Sequence, residues 1–294
     1  MALDLNSYSG RLVVTDGAWG TELQKRGLPA GYCPELWNTE NPQAVEDVAR
    51  QYVQAGSEIV LTNTFGANAF VLARHNAAGR VGELAEAGAA LSRRAAGQSV
   101  KVFASLGPTG QIVMMGEVSE EEIYSAYAEA GKAVERGGAD AVILETMTEL
   151  AEVVLAARAV RENTALPVIA SLTYDSGPDK TVTMMGANPC QAVQQLREIG
   201  VAGFGANCGV GPESYVKVTQ LYRQAAGNAP IWIKANAGLP VVSEGKTTFP
   251  LSPEGFAAFV PALAQAGANF IGGCCGTTPA HIAAVRKAVD ALRK

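Results

Sequence analysis

The 294-residue sequence predicts a (β/α)8 barrel, with residues 1–294 forming one domain. Three observations lead there. Eight short apolar runs each pass through a polar or glycine-bearing loop into a helical stretch. The runs are nearly continuous in apolar residues, as parallel strands covered on both faces must be. No composition break or Ser/Pro-rich linker divides the chain, and barrels of this kind fill about 250 residues as a single domain.

The expected strands are Leu12–Thr15, Glu58–Thr64, Lys101–Leu106, Ala139–Glu145, Pro167–Thr173, Gly203–Asn207, Pro230–Ala235 and Phe270–Gly273. Alanine-rich amphipathic segments lie between them. Pro42–Ala55 gathers Val45, Val48, Ala49 and Tyr52 on one side, and Glu120–Arg136 gathers Ile123, Tyr127, Ala130 and Val134. Ser119 is the expected N-cap of the latter, with Glu122 three residues on. Gly56, Gly137, Gly200 and Gly267 are expected just past helix C-termini, and the phrases AGSEIV, GGADAV, GVAGFG and AGANFI form a weak internal repeat. The rival architecture, an open doubly wound sheet, advertises a glycine-rich phosphate loop after its first strand. Asp16-Gly17-Ala18-Trp19-Gly20 lacks that spacing.

A hydrophobic share of 48% against 17% charged residues describes a packed core and excludes a disordered chain. The net charge of −5, with no basic run, argues against a nucleic-acid partner. The N-terminus lacks a signal-peptide pattern and no stretch reaches the roughly 20 apolar residues of a membrane helix, so a cytoplasmic protein is expected. Five cysteines, an odd count with two adjacent, read as reduced thiols and not as a disulfide framework.

Chemistry in such barrels sits at the C-terminal ends of the strands. Those positions read Asp16-Gly17, Asn63-Thr64-Phe65, Leu106-Gly107-Pro108, Glu145-Thr146, Thr173-Tyr174, Asn207-Cys208-Gly209, Asn236-Ala237-Gly238 and Cys274-Cys275-Gly276. Polar and sulfur-bearing side chains collect there. Cys208 and the Cys274–Cys275 pair end strands that flank the seventh, about 10 Å apart by the interstrand spacing. Side chains leaning inward would close that gap around one zinc ion, with bonds of about 2.3 Å. Adjacent strand residues face opposite ways, so both Cys274 and Cys275 ligate only if the backbone turns; Gly272, Gly273 and Gly276 are expected to give that freedom. A single buried cysteine is ordinarily a small hydrophobe. A Gly-Gly-Cys-Cys-Gly run with a third cysteine two strands away is not.

Three thiolates leave one position open around tetrahedral zinc, the catalytic arrangement. Such a cage is already anionic, so it is poor at making hydroxide and suited to holding another thiolate, from a substrate thiol of pKa near 8.5. Alkyl transfer to sulfur follows; hydrolysis does not.

Asp16 and Glu145, across the barrel mouth, admit two readings: a buried pair with a lysine or arginine, or partners of a substrate ammonium group. The backbone N–H groups of Gly17 and Ala18 would then meet a carboxylate, and Asn207, beside Cys208, is placed with them as a substrate-binding candidate. The implied ligand is an amino acid bearing a thiol. His75 reads as a surface residue and His281 as a packing or capping residue. Cys33 and Cys190 are assigned no role, and Trp19 and Phe65 either wall the mouth or belong to the core.

The stretches VVTDGAWGTELQKRG, CPELWNTENPQAV, TNTFGAN, ILETM, GANCGVGPE, NAGLP and IGGCCGTTPAHI run through almost the whole chain. They resemble the homocysteine-binding domain of the zinc-dependent homocysteine S-methyltransferases. That family includes betaine–homocysteine methyltransferase, S-methylmethionine-dependent enzymes and the first domain of cobalamin-dependent methionine synthase. The last type is the most similar, through TNTFGAN, NCGVGPE and NAGLP; the betaine enzyme is less so, since the tyrosine after its strand-four glutamate is Thr146 here.

The resemblance implies Cys208, Cys274 and Cys275 as zinc ligands and Asp16 and Glu145 as homocysteine ammonium partners. It also implies Asn236 as a fourth zinc ligand that the homocysteine sulfur displaces. The product would be methionine. The methyl donor would be methylcobalamin on a partner protein or domain, with a corrinoid protein or a methyltetrahydrofolate methyltransferase as the expected partner. The alternatives are S-methylmethionine, another sulfonium or betaine as donor, a thiol- or zinc-binding subunit without turnover, and a redox dithiol at Cys274–Cys275.

Overall fold

A computed structural model describes residues 3–243 and 246–293; of the expected span, residues 1–2, 244–245 and 294 lie outside it. Among the described residues there are ten strands: β1 Val13–Val14, β2 Ile59–Val60, β3 Lys101–Leu106, β4 Ala141–Met147, β5 Val168–Leu172, β6 Gly203–Asn207, β7 Ile231–Ala235, β8 Val241–Ser243, β9 Lys246–Thr248 and β10 Phe270–Gly273. Eight of them form one parallel sheet in the order β1-β10-β7-β6-β5-β4-β3-β2, which is the succession of a (β/α)8 barrel. Closure between β1 and β2 rests on the Glu58 N–H donating to the Val14 carbonyl at 2.8 Å. A side-chain staple adds to it, the Leu61 N–H donating to Asp16 Oδ2 at 2.7 Å.

Alternation along each strand splits the core in two. Val142, Leu144, Ala170, Ile233 and their equivalents pack outward against the helices. Phe103, Ile143, Ile169, Trp232 and Phe270 fill the barrel interior. Two residues further along, the same inward face turns polar: Ser105, Glu145, Ser171 and Lys234, all buried. An apolar plug thus underlies a polar floor at the C-terminal end.

The expected helices are present, including Glu120–Arg136 with its Ser119/Glu122 capping box. At that helix end Gly138 (φ +89°), not Gly137, takes the left-handed conformation. The hairpin β8–β9 was not among the expected strands; it pairs antiparallel within the loop after β7. The β-branched pairs Val241-Val242 and Thr247-Thr248 are its signal in the sequence.

Candidate metal centre

The seventh strand builds the cysteine cluster. β7 lies between β6 and β10, and its exit bonds both neighbours. The Cys208 N–H donates to the Lys234 carbonyl (3.1 Å) and the Cys274 N–H to that of Ala235 (2.7 Å). Beyond the strand, the Asn236 N–H donates to the Val210 carbonyl and the Ala237 N–H to that of Cys275. The Cys275 N–H in turn donates to Asn236 Oδ1 at 3.1 Å. Loops far apart in sequence are thereby pinned to one strand end. The sulfur atoms of Cys208, Cys274 and Cys275 lie within 4.8 Å of one another, with Cys208 and Cys275 at 3.9 Å. Two ligands on a tetrahedral zinc stand about 3.8 Å apart for bonds of about 2.3 Å. The donor set fits that ion.

Both cysteine loops depart from strand geometry. Cys274 and Cys275 follow β10 in a turn closed by the Thr277 N–H on the Cys274 carbonyl (3.1 Å), with Gly276 at φ +80°. Gly276 supplies the expected conformational freedom, since position i+2 of such a turn needs positive φ. Gly272 and Gly273 act differently. Their φ values are not positive, and a Cβ would stand 2.0 Å from Thr15 Oγ1 and 2.4 Å from Thr277, so they allow close packing. Cys208 is itself left-handed (φ +64°), a conformation costing a non-glycine residue about 1–3 kcal/mol unless its surroundings enforce it. The buried Tyr215 hydroxyl does so, lying 2.9 and 2.7 Å from the Asn207 and Cys208 carbonyl oxygens.

The three thiols behave as a unit. Thiol hydrogen bonds from Cys274 and then Cys275 pull Cys208 down to about 3, helped by the Asn236 amide. The donors shift the other way: Cys274 is pushed well up and Cys275 up to about 12, each mainly by its bond to Cys208.

A cavity of about 470 Å³ opens above the cluster, lined among others by Trp19, Phe65, Glu145, Lys234, Cys208 and Cys274. Glu145 enters it through a bulge. Leu144 pairs with Ala170 and Met147 with Leu172, so β4 spends one residue more than β5 over that interval. Met147 joins the outer core, while Glu145 and Thr146 (φ +62°) both face the cavity. Glu145 Oε1 accepts from Ser105 Oγ at 2.5 Å, and Oε2 has no hydrogen-bond partner among the described residues. Burial raises the Glu145 pKa, partly offset by the Lys234 charge.

Asp16 is fully buried and already engaged. Oδ1 takes Lys234 Nζ at 2.5 Å, and Oδ2 takes Trp19 Nε1 and the Leu61 N–H. Of the two readings of this aspartate, the pair with a basic residue is present in the fold. Lys234 was not singled out from the sequence, because one lysine in an apolar run gives no sign of where its Nζ ends. Burial pulls its pKa down, but Asp16 and Glu145 outweigh that and the net shift is upward. The Ala18 N–H donates to Thr277 Oγ1 at 3.1 Å, whereas that of Gly17 has no partner among the described residues. Asn207 is buried with its amide bonded to Thr146 and Ser171. His281 caps the last helix from Nδ1 and meets the Leu251 carbonyl through Nε2, as expected of a structural residue.

Fold and site together define a barrel with a three-cysteine, metal-competent centre at its catalytic face. The family model for homocysteine S-methyltransferase matches residues 13–289, and the chain belongs to that family. It is 35% identical over 99% of its length to methionine synthase of Mycobacterium tuberculosis (strain ATCC 25618 / H37Rv), and 32% identical over 97% to that of Mycobacterium leprae (strain TN). The chain spans 26% and 25% of the length of those two relatives. Among solved structures, the metallated form of the homocysteine methyltransferase MmuM from Escherichia coli superposes with a TM-score of 0.76. That match covers 94% of this chain and 96% of the other at 24% identity, a likeness of fold.

Proposed function

We propose that residues 1–294 form a homocysteine-binding barrel that holds zinc through Cys208, Cys274 and Cys275 and methylates the homocysteine thiol to give methionine. The proximity of three sulfurs at the floor of an open cavity carries this reading. Zinc held there would lower the pKa of a substrate thiol while the thiolate ligands keep its sulfur electron-rich. The chain's own groups hold and orient the amino acid. Glu145 offers its unengaged Oε2 to the ammonium group, and Asp16 adds charge from beneath while its oxygens stay on Lys234, Trp19 and Leu61. The Gly17 N–H faces the carboxylate; a contact from Ala18 requires Thr277 to release its N–H. For Asn236 to serve as the fourth ligand, its Oδ1 must leave the Cys275 N–H, so substrate arrival would restore that hydrogen bond. Five free cysteines suit a reducing compartment such as the cytoplasm. Among the described residues no helix is long and apolar enough to cross a membrane.

Exposed side chains near the barrel mouth support one donor over the others. Most of the exposed large hydrophobic residues described, including Ile112, Met114, Met184, Leu239 and Val242, lie in the segments between a barrel strand and the helix that follows it. Exposed apolar side chains on segments at this end of the barrel suit a protein surface better than a small charged sulfonium or betaine. This favours methylcobalamin on a corrinoid protein, itself served by a methyltetrahydrofolate methyltransferase. Incubating the zinc-loaded protein with homocysteine and either methylcobalamin or S-methylmethionine tests the reading: methionine should form with methylcobalamin. Formation with S-methylmethionine alone would reverse the donor, and tight homocysteine binding without product from either would leave a binding subunit.

A further inference from the structure

The geometry points to Asn207 as a positioning residue that links the sulfur cluster to the carboxylate subsite through Thr146, without touching substrate itself. The inference rests on the reading of Glu145 as the ammonium partner. A terminal amide has two donors and an oxygen with two lone pairs. In Asn207 all four are taken: Oδ1 accepts from the Thr146 N–H (2.8 Å) and Ser171 Oγ (2.7 Å), while Nδ2 donates to Thr146 Oγ1 (2.7 Å) and approaches Cys274 Sγ at 4.0 Å. Its exposure is 0%, so no capacity and no surface remain for a ligand.

Thr146 needs that support. A β-branched residue at φ +62° is a backbone outlier that persists only when neighbours over-determine it. Two of the four Asn207 contacts grip Thr146, one at its N–H and one at its hydroxyl. The bulge so fixed sets Glu145 in the mouth, one residue before the gripped position. The fourth contact reaches Cys274. A shift of that sulfur is thereby felt at the residue next to Glu145, through one rigid side chain held from behind by Ser171.

The test measures binding of homocysteine and of 4-mercaptobutanoate, the same skeleton without the ammonium group, to the zinc-loaded protein by calorimetry. The ratio of the two dissociation constants reads the ammonium subsite alone. Asn207→Ser should lower that preference about tenfold, the worth of one hydrogen bond to a charged group, with zinc stoichiometry unchanged. Adding Thr146→Gly should restore most of it, because glycine holds positive φ unaided. Ser171→Ala, which loosens Asn207 from outside the cavity, should lower the preference about threefold and carries the test if Asn207→Ser does not fold. An unchanged ratio in Asn207→Ser or Ser171→Ala, with a collapsed ratio in Glu145→Gln, overturns the coupling alone. A ratio unmoved by Glu145→Gln removes the ammonium reading, and the route through the bulge with it.

Discussion

At Cys208 the position of the sulfur is set from outside the cluster: a left-handed backbone, two carbonyl oxygens around the Tyr215 hydroxyl, and an N–H on β7. Tyr215→Phe keeps the ring packing and deletes that hydroxyl. It should weaken zinc affinity about tenfold, the usual cost of losing a supporting contact behind a ligand, in competition with a chromophoric chelator. Cys208→Ala should abolish zinc retention while circular dichroism shows a folded barrel; retained zinc would refute the ligand assignment. The cysteines were legible in the sequence because glycine-flanked sulfur at strand ends has no ordinary packing explanation. Tyr215 was not, since a tyrosine on an amphipathic helix looks like any core residue until its hydroxyl is seen against the 207–208 carbonyls. Lys234 was hidden likewise, and only the possibility of a basic partner for Asp16 could be stated.

Element positions followed from apolar runs and caps, but element irregularities did not. The β4 bulge leaves no residue signature at Glu145-Thr146, because positive φ at a threonine contradicts local preference and is imposed by Asn207. The loop after β3 shows a similar imposition. Glu149 accepts from the Val113 and Met114 N–H groups. Glu152 Oε1 takes the Thr109 N–H and hydroxyl and lies 3.0 Å from the Tyr127 hydroxyl. Burial raises the Glu152 pKa above its ordinary 4.5, against the opposing pull of those hydrogen bonds. A carboxyl whose pKa is higher folded than unfolded stabilises most below its unfolded value and loses that contribution as pH rises through the folded one. Glu152→Gln keeps an oxygen for the same donors. Its unfolding free energy should lack the decline that the parent protein shows as pH rises from about 4.5 through the raised native value. Identical pH profiles would contradict this.

For the whole molecule, the count of eight apolar runs was sufficient to give the barrel, since parallel strands covered on both faces leave few other closures. What the count could not show is that closure is uneven. The β3-to-β7 strands share extended ladders, whereas β1 and β2 meet through Glu58–Val14 and the Asp16 staple to Leu61. Opening should be easiest there. Native-state hydrogen exchange should find the Glu58 and Leu61 amides less protected than those of Val142 and Ala170; equal protection would mean the seam opens only with global unfolding. Asp16→Asn, which takes from buried Lys234 the carboxylate bonded to its Nζ and leaves only the Glu145 charge nearby, should cost about 3 kcal/mol and lower seam protection further.

The central claim is that Cys208, Cys274 and Cys275 hold zinc with one position open to a substrate thiol. X-ray absorption at the zinc edge, before and after homocysteine, tests it most directly. The account predicts three sulfur neighbours and one oxygen or nitrogen, becoming four sulfurs at about 2.3 Å when homocysteine binds. A zinc site of unchanged composition, or no zinc retained by the purified protein, would contradict it.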